Sequence, residues 1–303
     1  MSAAAVFRPL AVVTALFAYL QIALGGVVRV SGSGLGCPDW PLCHGRPYPP
    51  ADVHAIIEYS HRAVGSVTGV LIIATVVLAW VVYRVRRPIV AWLATASLLA
   101  VVGEGLLGGV VVAHELASWL VLAHLGLAML ILGFLVATAV MAMPPSAATQ
   151  DSRFRRLAAV AAVATYALLL TGSTVVASHA DQGCRSWPLC GGGFALDFGG
   201  VNAFTMLHRG AVLVIGALLV YLLVRAMRQP GLAAMAGATL TVFALQVAVG
   251  AVAAVRDGAL FNGLHVALAT LVCSGMLSIA MLTLPRADRG RQLTRLAVEK
   301  GPA

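Results

Sequence analysis

Charge is scarce in this chain. Of its 303 residues only 10% are Asp, Glu, Lys or Arg, whereas 60% are hydrophobic, and a soluble domain of this size needs far more polar surface to cover its core. Lysine is almost missing: 19 of the 20 basic residues are arginine and Lys300 is the exception. A formal charge of +9 would suit nucleic acid, but most of the arginines sit in short gaps between long apolar runs. That distribution excludes a continuous basic face and marks membrane topology instead. Cysteine is sparse as well, at five.

What the chain has in abundance is long apolar sequence. Windows of roughly 20 mainly apolar residues fall near 9–30, 54–83, 88–112, 119–142, 157–177, 202–224, 231–254 and 260–284. The first follows Arg8 as a signal peptide would, but it is too long for a signal core and has no clear small-residue cleavage site, so a retained span is expected. The connections after spans two, four and six hold Arg84, Arg86, Arg87, Arg153, Arg155, Arg156, Arg225 and Arg228. With Arg8, and with Arg286, Arg289, Arg291, Arg295 and Lys300 in the tail, this puts 14 of the 20 basic residues on one side. The positive-inside rule makes that side cytoplasmic, with both termini there and the even-numbered spans running from outside to inside. The loops at 31–53 and 178–201 are then the long outer ones.

Those two loops carry an internal repeat. Cys37-Pro-Asp-Trp-Pro-Leu-Cys43 and Cys184-Arg-Ser-Trp-Pro-Leu-Cys190 lie 147 residues apart, and the same offset carries His61-Arg62 onto His208-Arg209. An offset of 141 carries His124 onto His265. Two matched copies of four spans, inserted in the same direction, predict an all-α integral membrane protein of eight transmembrane helices. They form two four-helix bundles related by a pseudo-twofold axis along the membrane normal. The expected units are 1–143 and 157–303, with residues 144–156 as a cytoplasmic linker.

Ionisable groups inside a membrane are costly and mark function. His61, His124, His208 and His265 all fall near the outer ends of even-numbered spans, and paired imidazoles from facing helices are a common way to hold haem iron. Zinc is the rival metal, but no cysteine or carboxylate at zinc spacing accompanies these histidines. His44, His54, His114 and His179 lie in loops or at span edges and receive no role. The cysteine pairs, Cys37 with Cys43 and Cys184 with Cys190, lie on the side where oxidising conditions permit disulfides. They read either as two loop staples or, at one pair, as a redox centre; Cys273, within span eight, reads as core.

The copies also differ. Glu58 lies one helical turn before His61, and the 147 offset puts Thr205 in its place. Glu104 lies inside span three, where the 141 offset gives Leu245, and Arg29 has Val176 as its counterpart. Electron carriage needs only ligands, whereas bond-making needs groups that move protons or stabilise charge. The first copy is therefore the candidate for substrate chemistry. Arg62 and Arg209, each directly after a histidine, are placed to meet haem propionates or to snorkel to the interface.

These features together resemble the haem A synthase family, in its bacterial form with a cysteine pair in both outer loops. The resemblance rests on the eight spans, the two cysteine loops, Glu58-Tyr-Ser-His61-Arg62, His208-Arg209, His124 and His265. It implies oxidation of a ring methyl of haem O to a formyl group by successive hydroxylations, giving haem A for terminal oxidases. It implies that His208 and His265 hold a resident haem b, that His61 and His124 hold the substrate haem O, and that Glu58 is the essential acid. Besides membrane lipid, haem O synthase and an electron donor are the expected partners, and nucleic acid is not. A di-haem cytochrome b passing electrons from a quinol to an outer partner is the competing reading; carboxylates in one copy alone weigh against it.

Overall fold

The computed structural model describes residues 2–144, 151–192, 194–256 and 258–285, and every regular element in them is a helix. Eight helices are long and apolar enough to cross a membrane: α1 (Ala3–Val30), α2 (Val53–Tyr83), α3 (Pro88–Ala113), α4 (Ser118–Ala142), α5 (Ser152–Ala177), α7 (Asn202–Met227), α8 (Ala233–Val255) and α9 (Ala259–Leu282). The ninth, α6 (Ala180–Gly183), is one turn within the second cysteine loop. About 20 helical residues cross a hydrocarbon core of about 30 Å, so spans of 23 to 31 residues carry polar turns at their ends.

Those polar turns explain where the helices outrun the apolar windows. Asp151 accepts from the backbone N–H groups of Arg153 and Phe154, which starts α5 five residues before the apolar stretch begins. Residues 152–156 of the expected linker are thus helical, while 145–150 lie outside the described residues, as do Arg286 and the basic tail after it. Asp52 caps α2 through the Ala55 N–H, and Pro88 opens α3 where its missing donor costs nothing. Arg8 donates to Ala142 O, and Arg87 to Met141 O and Met143 O, so two arginines cover carbonyls left open at the end of α4.

Outward-facing apolar side chains identify the solvent. Leu99, Val163, Leu213 and Val214 are 70% to 74% exposed, an arrangement that lipid stabilises and water would not. The protein is a multi-pass membrane protein. With no hydrophobic force between helices in lipid, small residues and polar contacts hold them together. Thr14 and Thr75 hydroxyls meet at 2.9 Å between α1 and α2, and the Trp80 indole donates to Thr95 at 3.0 Å between α2 and α3.

Neighbour relations repeat in the two halves. Helices α1, α2, α3 and α4 pack in a closed cycle, and α5, α7, α8 and α9 pack in the same cycle. Between halves, α1 meets α9 as α4 meets α5, and α4 meets α9 on the axis that relates them. There Thr270 Oγ1 donates to Met129 Sδ at 3.7 Å, joining two positions 141 apart. In each cycle the two helices that bear histidines, α2 with α4 and α7 with α9, stand diagonally across the bundle interior.

Candidate functional site

Each histidine sits in the second or third turn of its helix, at the end of the bundle that carries the cysteine loops. The rings are half-buried, and they stand on helices diagonally opposed within each cycle, His61 with His124 and His208 with His265. Each bundle therefore carries two imidazoles, one from each of its diagonally opposed helices.

A glycine on the preceding span opposes every ring. A methyl added at Gly25 would come within 3.2 Å of His61 Cε1, at Gly108 within 3.3 Å of His124 Cε1, and at Gly172 within 3.0 Å of His208 Cε1; Gly250 abuts His265 still more closely. Any larger residue would push the imidazole inward. These contacts also fix the internal register. Gly25 and Gly172 are 147 apart, as expected, but Gly108 and Gly250 are 142 apart, one more than the histidines they face, because three residues join α8 to α9 where four join α3 to α4. Glu104 is therefore matched by Gln246 and not by Leu245.

Each ring also has one side-chain partner. Gln21 Nε2 lies 3.2 Å from His61 Nε2, Thr171 Oγ1 2.9 Å from His208 Nδ1, and Gln246 Nε2 3.3 Å from His265 Nε2. Glu104 Oε1 lies 3.1 Å from His124 Nδ1, at ion-pair distance but short of hydrogen-bond alignment. Around these contacts the buried Nδ1 atoms of His61, His124 and His265, the amide oxygens of Gln21 and Gln246, and Glu104 Oε2 have no hydrogen-bond partner. Orphaned ring nitrogens on facing helices, each with room made by a glycine, are a donor set that fits axial ligation of haem. No group of three or more His, Cys, Asp or Glu placed to hold a metal ion occurs among the described residues.

The first cysteine loop is tied to α2 by Glu58 and Arg62. Glu58, 4% exposed, accepts from the Cys37 N–H at 2.8 Å through Oε2 and pairs with Arg62 through Oε1. Arg62 donates further to the carbonyls of Cys37, Asp39 and Leu42. Four of its five N–H donors are thus spent on loop and helix, which disfavours the haem-propionate role that position alone allows. Gly36 carries no side chain because one would collide with the backbone of His54 and Ala55, where loop and helix touch. Cys37 and Cys43 form a disulfide with both residues fully buried against Ala55 and Tyr59. The backbone N–H groups of Gly45 and then His44 hold the Asp39 carboxyl below the usual carboxylate range. Trp40 of this loop lies on Gly109 of α3, one residue from the glycine facing His124.

The second loop is held more lightly. Cys184 and Cys190 form the matching disulfide, Arg209 donates to Pro188 O, and Thr205 to Ala180 O at 3.3 Å. Thr205 stands where Glu58 stands in the first copy, so no carboxylate from α7 meets Arg209.

Geometry brings Glu58, His61, Glu104 and His124 to one bundle and His208 and His265 to the other. Arg29 does not join them: it lies exposed in the last turn of α1, where a cation suits the helix C-terminus. Gln21, Thr171, Gln246 and the four glycines escaped the sequence reading. A signal did exist for two of them, because Gln21 and Gln246 are the only glutamines inside the spans.

The family model described as cytochrome oxidase assembly protein, COX15-CtaA, matches residues 8–56 and 51–277. The chain is 29% identical over 227 residues to the heme A synthase of Shouchella clausii, covering 72% of this chain and 75% of that protein. It is 32% identical over 213 residues to the heme A synthase of Halalkalibacterium halodurans, covering 67% and 69%. To that of Alkalihalophilus pseudofirmus it is 31% identical over 189 residues, covering 60% and 63%. With the family model spanning both bundles and both cysteine loops, this chain belongs to the cytochrome oxidase assembly protein family COX15-CtaA.

Proposed function

We propose that this protein is a membrane oxidoreductase that converts haem O to haem A for terminal oxidases. The observation that carries the reading is the two histidine pairs on diagonally opposed helices, alike in position but unlike in their neighbours. His208 and His265 have a hydroxyl and an amide beside them, as a resident electron-carrying haem b requires. His61 and His124 have Glu104 beside the ring and Glu58 one turn away, as a site of bond-making requires. Proteins named heme A synthase among its relatives support the same reaction.

In this reading residues 1–143 form the substrate half and 157–303 the resident haem half. The resident haem b, when bound, supplies one-electron transfer. His61 and His124 would hold the iron of the substrate haem O at the end of the bundle that carries the first cysteine loop. Glu58 holds that loop closed and keeps a carboxylate at its inner rim, while Gly25 and Gly108 keep the histidines from being displaced inward. A methyl group bears no acidic proton, so the reaction passes through two hydroxylations to a geminal diol, which loses water to the aldehyde; with dioxygen as the oxidant, each hydroxylation places one oxygen atom on the carbon and releases the other as water, using two electrons and two protons from outside. Haem O synthase is the natural supplier of substrate, and a separate donor supplies electrons. Co-expression with a haem O producer is expected to yield haem A in extracted pigments; haem O alone, at the level seen without this chain, would refute the activity.

The arginine asymmetry supports a cytoplasmic position for both termini and an outer position for the cysteine loops. A cysteine introduced at Tyr48, which is 58% exposed in the first loop, is expected to react with a membrane-impermeant maleimide on intact cells. Reaction only after lysis reverses the topology.

A further inference from the structure

The two bundles differ in how they fill the space deeper than their histidines. On α7, Gly216 lies eight residues after His208, and the Phe243 ring of α8 rests on it: a methyl group added at Gly216 would stand 3.0 Å from Phe243 Cζ. Phe243 is buried and belongs to the core of that half. Gly69 holds the matching place on α2, eight residues after His61, and a methyl group added there would meet no neighbouring atom within 4 Å. Val101 of α3 stands where Phe243 stands on α8. The offset of 142 that relates them also pairs Gly108 with Gly250, and the buried Ala94 and Ser97 with the buried Ala236 and Thr239.

The difference extends along the seam between α2 and α3. Gly69 shares a face of α2 with Trp80, three turns on, whose indole meets Thr95 of α3. Gly105 lies one turn beyond Val101 on the same face of α3, and a methyl group added to it likewise meets nothing within 4 Å; the second bundle has Val247 there. Nearer the histidine, Gly65 is matched by Val212. A methyl group added at Gly65 would stand 3.0 Å from Nε2 of Gln21, whose buried amide oxygen has no hydrogen-bond partner. The second bundle has Leu168 in place of Gln21. One bundle thus has a slot between two helices, about 12 Å deeper than its histidine, with an unmatched acceptor at the end nearer that histidine. The other has an aromatic ring in the slot and a leucine for the acceptor.

Haem O and haem b differ chemically at one more place than the iron ligands can sense: haem O bears a hydroxyl and a long isoprenoid chain where haem b has a vinyl group. We propose that the seam of Gly69, Val101 and Gly105 receives the isoprenoid chain of haem O, that Gln21 accepts from the hydroxyl at its root, and that Phe243 bars the same chain from the resident site. In lipid the chain gains little by leaving its surroundings, so sorting comes from shape: one seam admits the chain and the other is already packed. The proposal rests on assigning haem O to the His61–His124 pair and adds to it what tells the two haems apart.

Two reciprocal substitutions test it. Val101→Phe, purified with its resident haem and titrated with haem O and with haem b, is expected to take haem O about 10–100-fold more weakly than wild type, as overpacking costs. Haem b, which lacks the chain, should bind that site as it binds wild type. Phe243→Val is combined with His61→Ala, so that only the resident site is left, and produced in cells that make haem O. Its extracted pigment is expected to contain haem O beside haem b, where His61→Ala alone yields haem b. Unchanged haem O affinity in Val101→Phe overturns the slot and leaves the seam to a lipid acyl chain; an equal loss of both haems overturns it as well, as a disturbance of the histidine pair. Haem b alone from the Phe243→Val preparation overturns the bar. If His61→Ala and His124→Ala take up haem O as wild type does, the assignment of substrate to this bundle fails instead.

Discussion

Glu58→Gln is expected to accumulate in membranes with its resident haem at near-normal level and to form almost no haem A, with haem O or a hydroxylated intermediate in its place. The side chain is buried one helical turn from His61, with one oxygen on the Cys37 N–H and the other on Arg62. Glutamine keeps an acceptor for the N–H but has no carboxyl proton to exchange. Loss of a general acid or base costs roughly 10²–10⁴-fold in rate, which separates this effect from ordinary destabilisation. Arg62 is not left as a bare buried charge, because three carbonyls still accept from it. The cost of about 3–5 kcal/mol for an orphaned buried ion is therefore avoided. Chromatography of extracted haems, beside a haem O producer, reads the result, and wild-type haem A would remove Glu58 from the mechanism. Arg62→Gln separates two roles. It loosens the loop and spares the carboxyl, so an equal loss of haem A there would show that Glu58 acts through the loop alone. Thr205→Val, at the matching place in the other half, is expected to be mild.

The second large effect concerns the resident haem. His208→Ala and His265→Ala should each abolish the low-spin spectrum that two trans imidazoles give and lose most of the bound haem b. His208 is oriented by Thr171 at 2.9 Å and backed by Gly172; His265 is met by Gln246 and backed by Gly250. No other imidazole from the described residues reaches the interior of that bundle, so none can substitute. Spectra of the purified variants, normalised to protein, decide the matter. A full and unaltered haem b spectrum in both variants would exclude the pair as ligands. Comparison with His61→Ala guards against general misfolding, since that variant should keep its resident haem.

Much of this was legible before any tertiary information because it is written in one dimension. Hydropathy marked all eight spans, and the ends it misplaced, such as the start of α5, were those where a cap and arginines carry the helix past the apolar stretch. A seven-residue motif repeated at one offset disclosed two copies, and the polar residues stranded in apolar runs disclosed the four histidines, Glu58 and Glu104. Six-residue separations within short loops permitted two disulfides, and the structure shows both.

Relations between helices were not legible, and the reason is angular. With 3.6 residues per turn, a shift of one residue swings a side chain by about 100° around its helix. A single residue fewer between α8 and α9 was enough to hide the match of Glu104 with Gln246. The same holds for the glycines behind the histidines, which read as ordinary small residues until a facing ring is placed against them. Arg62 reads as a propionate partner or a snorkelling cation by its place beside His61, and only the folded loop shows three carbonyls already taking its donors. Composition and spacing by themselves determined a membrane protein of two unequal copies with paired imidazoles. Which groups touch those imidazoles was decided by the tertiary structure, because contact depends on how each helix is rotated against its neighbours, and no local pattern records that rotation.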